Sequence, residues 1–220
     1  MWIKICANTT LADARLAAEL GADAVGFVFA PSPRQVTPTQ IAGITPHLPA
    51  TLEKVGVFTT PDPEQIIAAA REAGLTAIQL HSPLNLATIH RIANLTKGRL
   101  KIIQVLSWRI DAPGQAAILT KQLAQIAHQG VVKRVLIDSK AGDATGGTGL
   151  AFNWIAARQM FADYSDKLNL IVAGGLNPEN VGEAISSLDP WGVDVASGVE
   201  SKPGAKDPGK LAAFIRHART

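Results

Sequence analysis

A thiol and a carboxylate stand at the ends of two short apolar segments, where side chains able to do chemistry are expected. Cys6, the only cysteine in the chain, follows Trp2–Ile5, and Asp138 ends the segment that begins at Arg134. A cysteine can act as a nucleophile or a base, and its place at the carboxyl end of a strand candidate favours a functional role. Each also has a structural interpretation, Cys6 as a small buried apolar residue and Asp138 as the cap of a loop.

Three further places in the sequence have the chemistry to hold an anion. Arg34 lies in a proline-stiffened segment, where its planar guanidinium suits a carboxylate, although a solvated surface charge is the alternative. Gly174 and Gly175 follow one apolar segment, and Ser197 and Gly198 follow the next. Glycines at such places let a phosphate approach bare backbone N–H groups, but tight turns need glycine as well.

His81 follows another apolar segment and is grouped with the substrate-binding candidates, although a metal ligand and a satisfied polar residue are alternatives. No companion His or carboxylate stands at ligand spacing, and one cysteine excludes a disulfide framework and a multi-cysteine zinc site. Gly204 to Lys210 has the spacing of a nucleotide-binding P-loop, but Leu211 replaces the hydroxyl that binds Mg²⁺ and no strand precedes it. The sequence therefore predicts neither a metal nor an organic cofactor.

Composition excludes several classes of partner. The 220 residues include 21 basic and 18 acidic side chains, for a formal net charge of +3, with 47% hydrophobic and 5% aromatic residues. This chain is too apolar to be disordered, and it lacks the basic stripe and aromatic platforms of a nucleic-acid binder. No apolar run is long enough to cross a membrane and no secretion signal is seen, so we expect a cytoplasmic protein that binds an anionic small molecule.

The elements that must position these residues form a regular alternation of β-branched segments with helix-period segments. Eight strand candidates result: Trp2–Ile5, 24–29, Glu53–Phe58, Ala77–Leu80, 101–105, 134–138, Asn169–Ala173 and 193–196. Eight even units favour a single-domain (β/α)8 TIM barrel over residues 1–220 rather than an open doubly wound sheet. The carboxyl ends of the strands form the active face of a barrel, so all the candidates are expected there, with Cys6 and Asp138 facing one another across the mouth.

Short-range signals mark helix ends and one loop. Thr10 predicts a helix N-cap, as does Asn177 in front of a proline, and Gly21 and Gly74 predict helix ends. Residues 139–149 are small and polar, which predicts a mobile covering loop or an inert one.

The motifs along the chain make it resemble the phosphoribosylanthranilate isomerase family over essentially its whole length. The matching segments are Lys4-Ile5-Cys6, 21–29, Ser32-Pro33-Arg34, 55–58, Gln79-Leu80-His81, 136–139, Gly146-Gly147-Thr148-Gly149, 173–180, 192–200, and Gly204 with Lys206-Asp207-Pro208. Their number and order make the match specific. The resemblance implies a TIM barrel, an aldose–ketose type isomerase of tryptophan biosynthesis, and a phosphorylated aminosugar as its small-molecule partner.

The resemblance also implies residue roles and a reaction. It implies that Cys6 is the general base and Asp138 the general acid. It further implies that Arg34 binds the anthranilate carboxylate, and that the glycine loops and Ser197 form the phosphate site. The reaction is an Amadori rearrangement of N-(5-phosphoribosyl)anthranilate to 1-(2-carboxyphenylamino)-1-deoxyribulose 5-phosphate. Because Cys6 must lose a proton that a free thiol keeps at neutral pH, we expect nearby groups, Lys4 among them, to ease formation of the thiolate.

Departures from the family pattern leave alternatives open. The family usually has Gly and an aliphatic residue after Lys-Ile-Cys, and Gly after Gln-Leu-His, where this chain has Ala7, Asn8 and Ser82. A catalytically silent or regulatory phosphate-binding barrel is one alternative. Another sugar-phosphate barrel enzyme is the second, although ribulose-phosphate epimerase would need a metal-binding His and Asp set and indole-glycerol-phosphate synthase a catalytic Lys at a strand end. Oligomeric state and use of the related histidine-pathway aminoaldose stay open.

Overall fold

Eight parallel strands form a closed barrel in the computed structural model, which describes residues 1–109, 114–140 and 154–220. The strands are β1 Trp2–Ile5, β2 Ala24–Val28, β3 Glu53–Phe58, β4 Ala77–Leu80, β5 Lys101–Arg109, β6 Arg134–Lys140, β7 Asn169–Ala173 and β8 Gly192–Val195. Each strand pairs with the next along the chain, and β1 closes the ring against β8, with Lys4 opposite Asp194 and Ile5 opposite Val195. The predicted TIM barrel is confirmed, in the predicted strand order.

Helices connect the strands across the outside of the barrel. They are α1 Leu11–Glu19, α2 Pro38–Ala42, α3 Pro63–Glu72, α4 Leu86–Thr96, α5 Gln115–Gln129, α6 Trp154–Tyr164, α7 Val181–Leu188 and α8 Pro208–Arg219. The Thr10 side chain accepts from the backbone N–H of Asp13, so the predicted N-cap of α1 is confirmed. The glycines that follow α1 and α3, Gly21 and Gly74, have φ of 97° and 63°, the left-handed geometry that ends a helix.

One predicted helix start is wrong. Asn177 accepts from the backbone N–H groups of Glu179 and Asn180, which makes a turn, and α7 begins only at Val181. Asparagine side chains stabilise such turns as readily as helix caps, so the local pattern could not separate the two.

Four strands differ from the prediction in their bounds. β2 ends one residue earlier, β8 is shifted by one residue, and β5 and β6 continue to Arg109 and Lys140, beyond their apolar runs. The two extensions pair with one another, with Arg109 opposite Lys140. Backbone hydrogen bonds between neighbouring strands carry this extension, and they leave no mark in the side-chain pattern.

A small hairpin that the sequence did not predict lies between β8 and α8. It pairs β9 Glu200–Lys202 with β10 Ala205–Lys206 in antiparallel fashion, after a 3-10 helix at Ser197–Val199. Gly204, at φ 80°, forms its turn, and the Thr9 hydroxyl donates to the Gly204 carbonyl at 2.6 Å. The hairpin is thereby attached to the chain that follows β1, and Gly204 serves a turn rather than a nucleotide loop.

Alternate strand residues face opposite sides of the barrel wall and build two apolar layers. The layer inside the barrel contains Trp2, Ala24, Val55, Ala77, Ile103, Val105, Leu136, Ile171 and Ala173. The outer layer, between strands and helices, includes Ile3, Ile5, Val25, Phe27, Ile78, Ile137, Val172 and Val193. Toward the carboxyl ends, the interior becomes polar, with Lys4, Gln79 and Asp194 all buried.

Two tryptophans and an arginine close the amino-terminal end of the barrel. Trp2 and Trp191 stack with their ring centroids 5.3 Å apart, and the Arg134 guanidinium lies 4.8 Å from the Trp191 centroid. Glu53 accepts from Arg134, which fixes the guanidinium over both rings. This end is built for packing, as expected for the face opposite the active face. Along the described part of the chain, no helix has the length and apolar character needed to traverse a bilayer.

Candidate active site

A cavity of about 350 Å³ opens at the carboxyl ends of the barrel strands. Seven of the eight predicted site residues line it: Cys6, Arg34, His81, Asp138, Gly174, Gly175 and Ser197. These residues are brought together from six separate strand ends, which places them as the barrel topology predicts. The size of the cavity suits a small metabolite.

Cys6 lies directly after β1 and is 6% exposed. Its backbone N–H donates to the Val195 carbonyl at 2.8 Å, which fixes the end of β1 against β8. Burial raises the pKa of the Cys6 thiol, and the Lys4 ammonium lowers it without overcoming burial, so the net shift is upward. Lys4 therefore lowers the pKa of the thiol, as expected, but burial has the larger effect and favours the protonated thiol.

The residue after the thiol has an unusual backbone conformation. Ala7 has φ 61°, in the left-handed region that glycine adopts without strain. Asn8, which is fully buried, donates through Nδ2 to the carbonyls of Ile5 at 2.7 Å and Gly26 at 3.3 Å. Asn8 thus joins the end of β1 to the middle of β2, so this departure from the family pattern has a structural role.

Asp138 lies on β6, on the opposite side of the cavity mouth from β1. It is 8% exposed, and one of its carboxylate oxygens is 3.8 Å from Nε2 of His81, at the end of β4. His81 is therefore placed beside the carboxylate, where it can orient Asp138 or contact a ligand. Ser82, the third position that departs from the family pattern, follows His81, and its backbone carbonyl accepts a hydrogen bond from the Gln104 side chain at 3.2 Å.

Arg34 is held by a carboxylate that the sequence interpretation had left without a role. Its Nε and Nη2 both donate to Glu200, at distances between 2.7 and 3.0 Å. Glu200 is buried in the hairpin after β8. Burial raises its pKa, but Arg34 and Lys206 together more than offset burial and leave the pKa below its ordinary value. The ion pair uses Nε and Nη2 and not Nη1, and it fixes the plane of the guanidinium at the cavity wall.

Lys206 connects this ion pair to the backbone of Cys6. Its buried ammonium donates to the backbone carbonyl of Cys6 at 2.5 Å, to that of Ala196 at 3.3 Å and to Glu200 at 3.3 Å. Burial lowers the pKa of Lys206, and Glu200 only partly offsets that effect. One side chain thus ties together the ends of β1 and β8 and the carboxylate that orients Arg34.

The loop after β7 has the backbone geometry expected of a phosphate site. Gly174 and Gly175 have φ of 83° and 67°, and the Asn180 side chain donates to the Gly175 carbonyl at 2.9 Å. A Cβ atom on Gly174 would lie 2.2 Å from Oγ of Ser139, so the loop has no room for a side chain there. Glycine is required here by both torsion and space.

Gly198 is the predicted site residue that does not line the cavity. A Cβ atom there would lie 1.9 Å from the Leu176 carbonyl oxygen, so the loops after β7 and β8 touch at this point. Gly198 therefore acts on the site through loop packing, whereas Ser197 beside it faces the cavity.

Gln79 is a cavity residue that the sequence interpretation missed. It lies on β4 and is 4% exposed, and its buried Oε1 has no hydrogen-bond partner among the residues that the structure describes. The alternation of side chains along a strand could have predicted it, because Gln79 precedes His81 by two positions and so faces the same side. Lys4 and Cys6 are related in the same way.

Two further expectations concern the loop and metals. Residues 141–149 of the predicted covering loop, including Gly146-Gly147-Thr148-Gly149, lie outside the described residues. Within 1–109, 114–140 and 154–220, no group of three His, Cys, Asp or Glu side chains is placed to hold a metal ion.

The fold and cavity define a class: a (β/α)8-barrel protein whose mouth carries a thiol, a carboxylate and an oriented arginine, as acid–base chemistry on an anionic ligand requires. A family model described as N-(5'phosphoribosyl)anthranilate (PRA) isomerase matches residues 3–217. The N-(5'-phosphoribosyl)anthranilate isomerase of Geobacter sulfurreducens is 39% identical over 99% of this chain and 98% of its own. The chain belongs to the N-(5'-phosphoribosyl)anthranilate isomerase family.

Solved structures agree with the family assignment. The crystal structure of phosphoribosyl anthranilate isomerase from Thermotoga maritima superposes with a TM-score of 0.83 and 34% identity, covering 100% of this chain and 98% of that one. Another, of the isomerase in complex with reduced 1-(o-carboxyphenylamino)-1-deoxyribulose 5-phosphate, gives a TM-score of 0.78 and 32% identity over 100% of this chain and 98% of its own.

Proposed function

We propose that this protein isomerises N-(5'-phosphoribosyl)anthranilate to 1-(2-carboxyphenylamino)-1-deoxyribulose 5-phosphate in tryptophan biosynthesis. The observation that carries the proposal is the meeting of Cys6, Asp138 and Arg34 in one cavity of a barrel that belongs to this family. A solved relative holds a reduced form of that product. The partner of this chain is accordingly a phosphorylated aminosugar.

Asp138 is the general acid of the reaction. It gives its proton to the ring oxygen of the ribose while the bond from that oxygen to C1 breaks, which opens the ring to an iminium ion. His81, 3.8 Å from the carboxylate, orients Asp138 toward the substrate. The cavity shields this step because Asp138 is largely buried.

Cys6 is the general base. Its thiolate takes the proton from C2, and the electrons of that C–H bond form the C1–C2 double bond of an enolamine as the iminium charge is neutralised. The enolamine then tautomerises to the ketone, so substrate and product are isomers and no external reductant is needed. The positive iminium ion favours the thiolate at this stage, which offsets the effect of burial on the thiol pKa.

The two ends of the substrate are held by different loops. Arg34, oriented by Glu200, binds the anthranilate carboxylate, and the loops of Gly174, Gly175 and Ser197 bind the phosphate. A substrate fixed at both ends presents its ribose between Cys6 and Asp138, which lie on opposite sides of the mouth. Gly198 supports the phosphate site by letting the two loops touch.

Conversion of the substrate tests this proposal. Purified protein is mixed with N-(5'-phosphoribosyl)anthranilate, and the loss of anthranilate-type substrate fluorescence is followed with time. We expect loss of the signal in proportion to protein concentration. Retention of the signal, with the substrate bound but unconverted, would show a silent phosphate-binding barrel and overturn the proposal.

A further inference from the structure

A second titratable group lies inside the barrel beneath the proposed base. Lys4 is 0% exposed, and its ammonium donates to Oδ1 of Asp194 at 2.8 Å across the β1–β8 seam. A fully buried lysine is rare in proteins, and removing such a charge from water is costly even when it is paired. The inner layer of the barrel wall is otherwise mostly apolar, with Val105 and Leu136 among its members, and Gln79 and Asp194 are further buried polar residues.

Lys4 and Cys6 lie side by side on the inner face of β1. They are two positions apart, and both side chains pack against Gly26 of β2. A Cβ atom on Gly26 would lie 2.7 Å from the Cys6 sulfur and 3.0 Å from Cε of Lys4. The Cys6 sulfur and Cε of Lys4 thus both lie within 3.0 Å of one point beside Gly26, which places the lysine chain next to the thiol. Gly26 thus permits the cation and the sulfur to approach without an intervening side chain.

We propose that Lys4 is a positioning residue whose buried ammonium stabilises the thiolate form of Cys6, and that Asp194 holds this ammonium in place beneath the sulfur. The inference rests on the proposed role of Cys6 as general base. It assigns the work of activating the thiol to a charge inside the barrel, below the ligand cavity, rather than to a group at the mouth.

Charges on other elements also face Cys6, and their signs make the proposal testable. Lys206 on β10 and Arg34 after β2 are cationic, Asp194 on β8 is anionic, and across the cavity stand Asp138 and His81. Burial raises the pKa of the thiol, Lys4 lowers it, Asp194 raises it and Lys206 lowers it. Lys4 and Asp194 therefore act on Cys6 in opposite directions, although they share one ion pair.

A purely structural ion pair makes a different prediction. Substitution on either side breaks the same 2.8 Å contact, so a role limited to packing would disturb Cys6 in the same direction in both variants. An electrostatic role requires opposite directions. The sign of the change, rather than its size, separates the two.

The test measures the rate of Cys6 alkylation by iodoacetamide as a function of pH. Cys6 is the only thiol in the chain, so the rate follows its thiolate fraction without interference and needs no substrate turnover. We expect Lys4→Met to slow alkylation about tenfold near neutral pH, the effect of one pKa unit, and Asp194→Asn to accelerate it. Shifts in the same direction, or no shift in either variant, would overturn the proposal.

Two further variants keep the test decisive. Lys54 on β3 is another buried lysine, bound to the Pro49 carbonyl, and Lys54→Met should leave the alkylation profile unchanged. If Lys4→Met does not fold, the double variant Lys4→Met/Asp194→Asn removes both charges and avoids an isolated carboxylate. It should alkylate more slowly than the wild type because Lys4 has the larger effect; equal or faster alkylation contradicts the proposal. Substrate conversion, measured separately, tests the function itself.

Discussion

Arg34 and Glu200 form a two-point ion pair in which both carboxylate oxygens accept from one guanidinium edge. The pair joins the loop after β2 to the hairpin after β8, two segments that are 166 residues apart in the sequence. Side-chain exposure is 22% for Arg34 and 4% for Glu200, so the buried carboxylate is the anchor and the arginine is the part that meets the cavity. An arginine held in this way is oriented before the ligand arrives.

Removal of the Glu200 carboxylate should therefore weaken substrate binding more than turnover. We expect Glu200→Ala to raise KM about ten- to hundredfold, the effect of losing a charged hydrogen bond, with a smaller change in kcat. Steady-state kinetics on purified, folded variants provide the measurement. The exposed Glu64–Arg91 pair supplies the control, because Glu64→Ala breaks an ion pair far from the cavity and should change neither constant. An unchanged KM in Glu200→Ala would show that Arg34 needs no such anchor.

Gly26 is expected to tolerate no side chain. In Gly26→Ala the new methyl group would lie 2.7 Å from the Cys6 sulfur, so either the thiol or the Lys4 chain must move. A displaced base should lower kcat about a hundredfold, as small misplacements in active sites do. Gly182→Ala is the matched control: this glycine in α7 has nothing within 4 Å of the added Cβ. The control should retain full activity, and a fully active Gly26→Ala would contradict the placement of Cys6.

Gly198 should affect phosphate binding although it does not line the cavity. In Gly198→Ala the methyl group would meet the Leu176 carbonyl at 1.9 Å, which forces the loops after β7 and β8 apart. We expect the inhibition constant of inorganic phosphate, measured in the conversion assay, to rise about tenfold or more, equivalent to 1.4 kcal/mol. Gly43→Ala at the end of α2, with its nearest atom at 3.4 Å, should leave that constant unchanged. Equal inhibition in both variants would show that the loop contact is dispensable.

Substitutions at the amino-terminal end of the barrel should lower the stability of the protein without changing its catalytic activity. Arg134→Ala removes a guanidinium that is paired with Glu53 and lies over Trp2 and Trp191. We expect the free energy of unfolding, measured by denaturant titration, to fall by about 1–3 kcal/mol, with kcat/KM at the wild-type value. A loss of kcat/KM in the folded variant would contradict the separation of the two faces.

The barrel and most of the cavity could be predicted from the sequence because both depend on local patterns. β-Branched segments alternate with helix-period segments, and the carboxyl end of each strand marks a cavity position, which predicts Cys6, His81 and Asp138 as site residues. The lengths of β5 and β6 could not be predicted, since Arg109 and Lys140 extend their strands through pairing with each other. That pairing is a property of the closed sheet.

Partners of the site residues were harder to predict. The roles of Glu200 and Lys206 could not be predicted, because Glu200 contacts Arg34 and Lys206 contacts the Cys6 carbonyl, and these residues are distant in the sequence. Gln79 could have been predicted from the alternation of side chains along β4, because it lies two positions before His81. The ion pair of Asp194 with Lys4 could not be predicted either, because it depends on closure of the barrel, which brings β8 beside β1.

The central claim is that Cys6 removes a proton and Asp138 supplies one, and the turnover number of two conservative variants tests it most directly. Cys6→Ser and Asp138→Asn keep the size of each side chain and remove its acid–base function, so binding of the product, measured by calorimetry, should be retained. We expect kcat at saturating N-(5'-phosphoribosyl)anthranilate to fall at least about a hundredfold in each variant, the usual effect of losing a general acid or base. Near wild-type turnover in both variants would contradict the account.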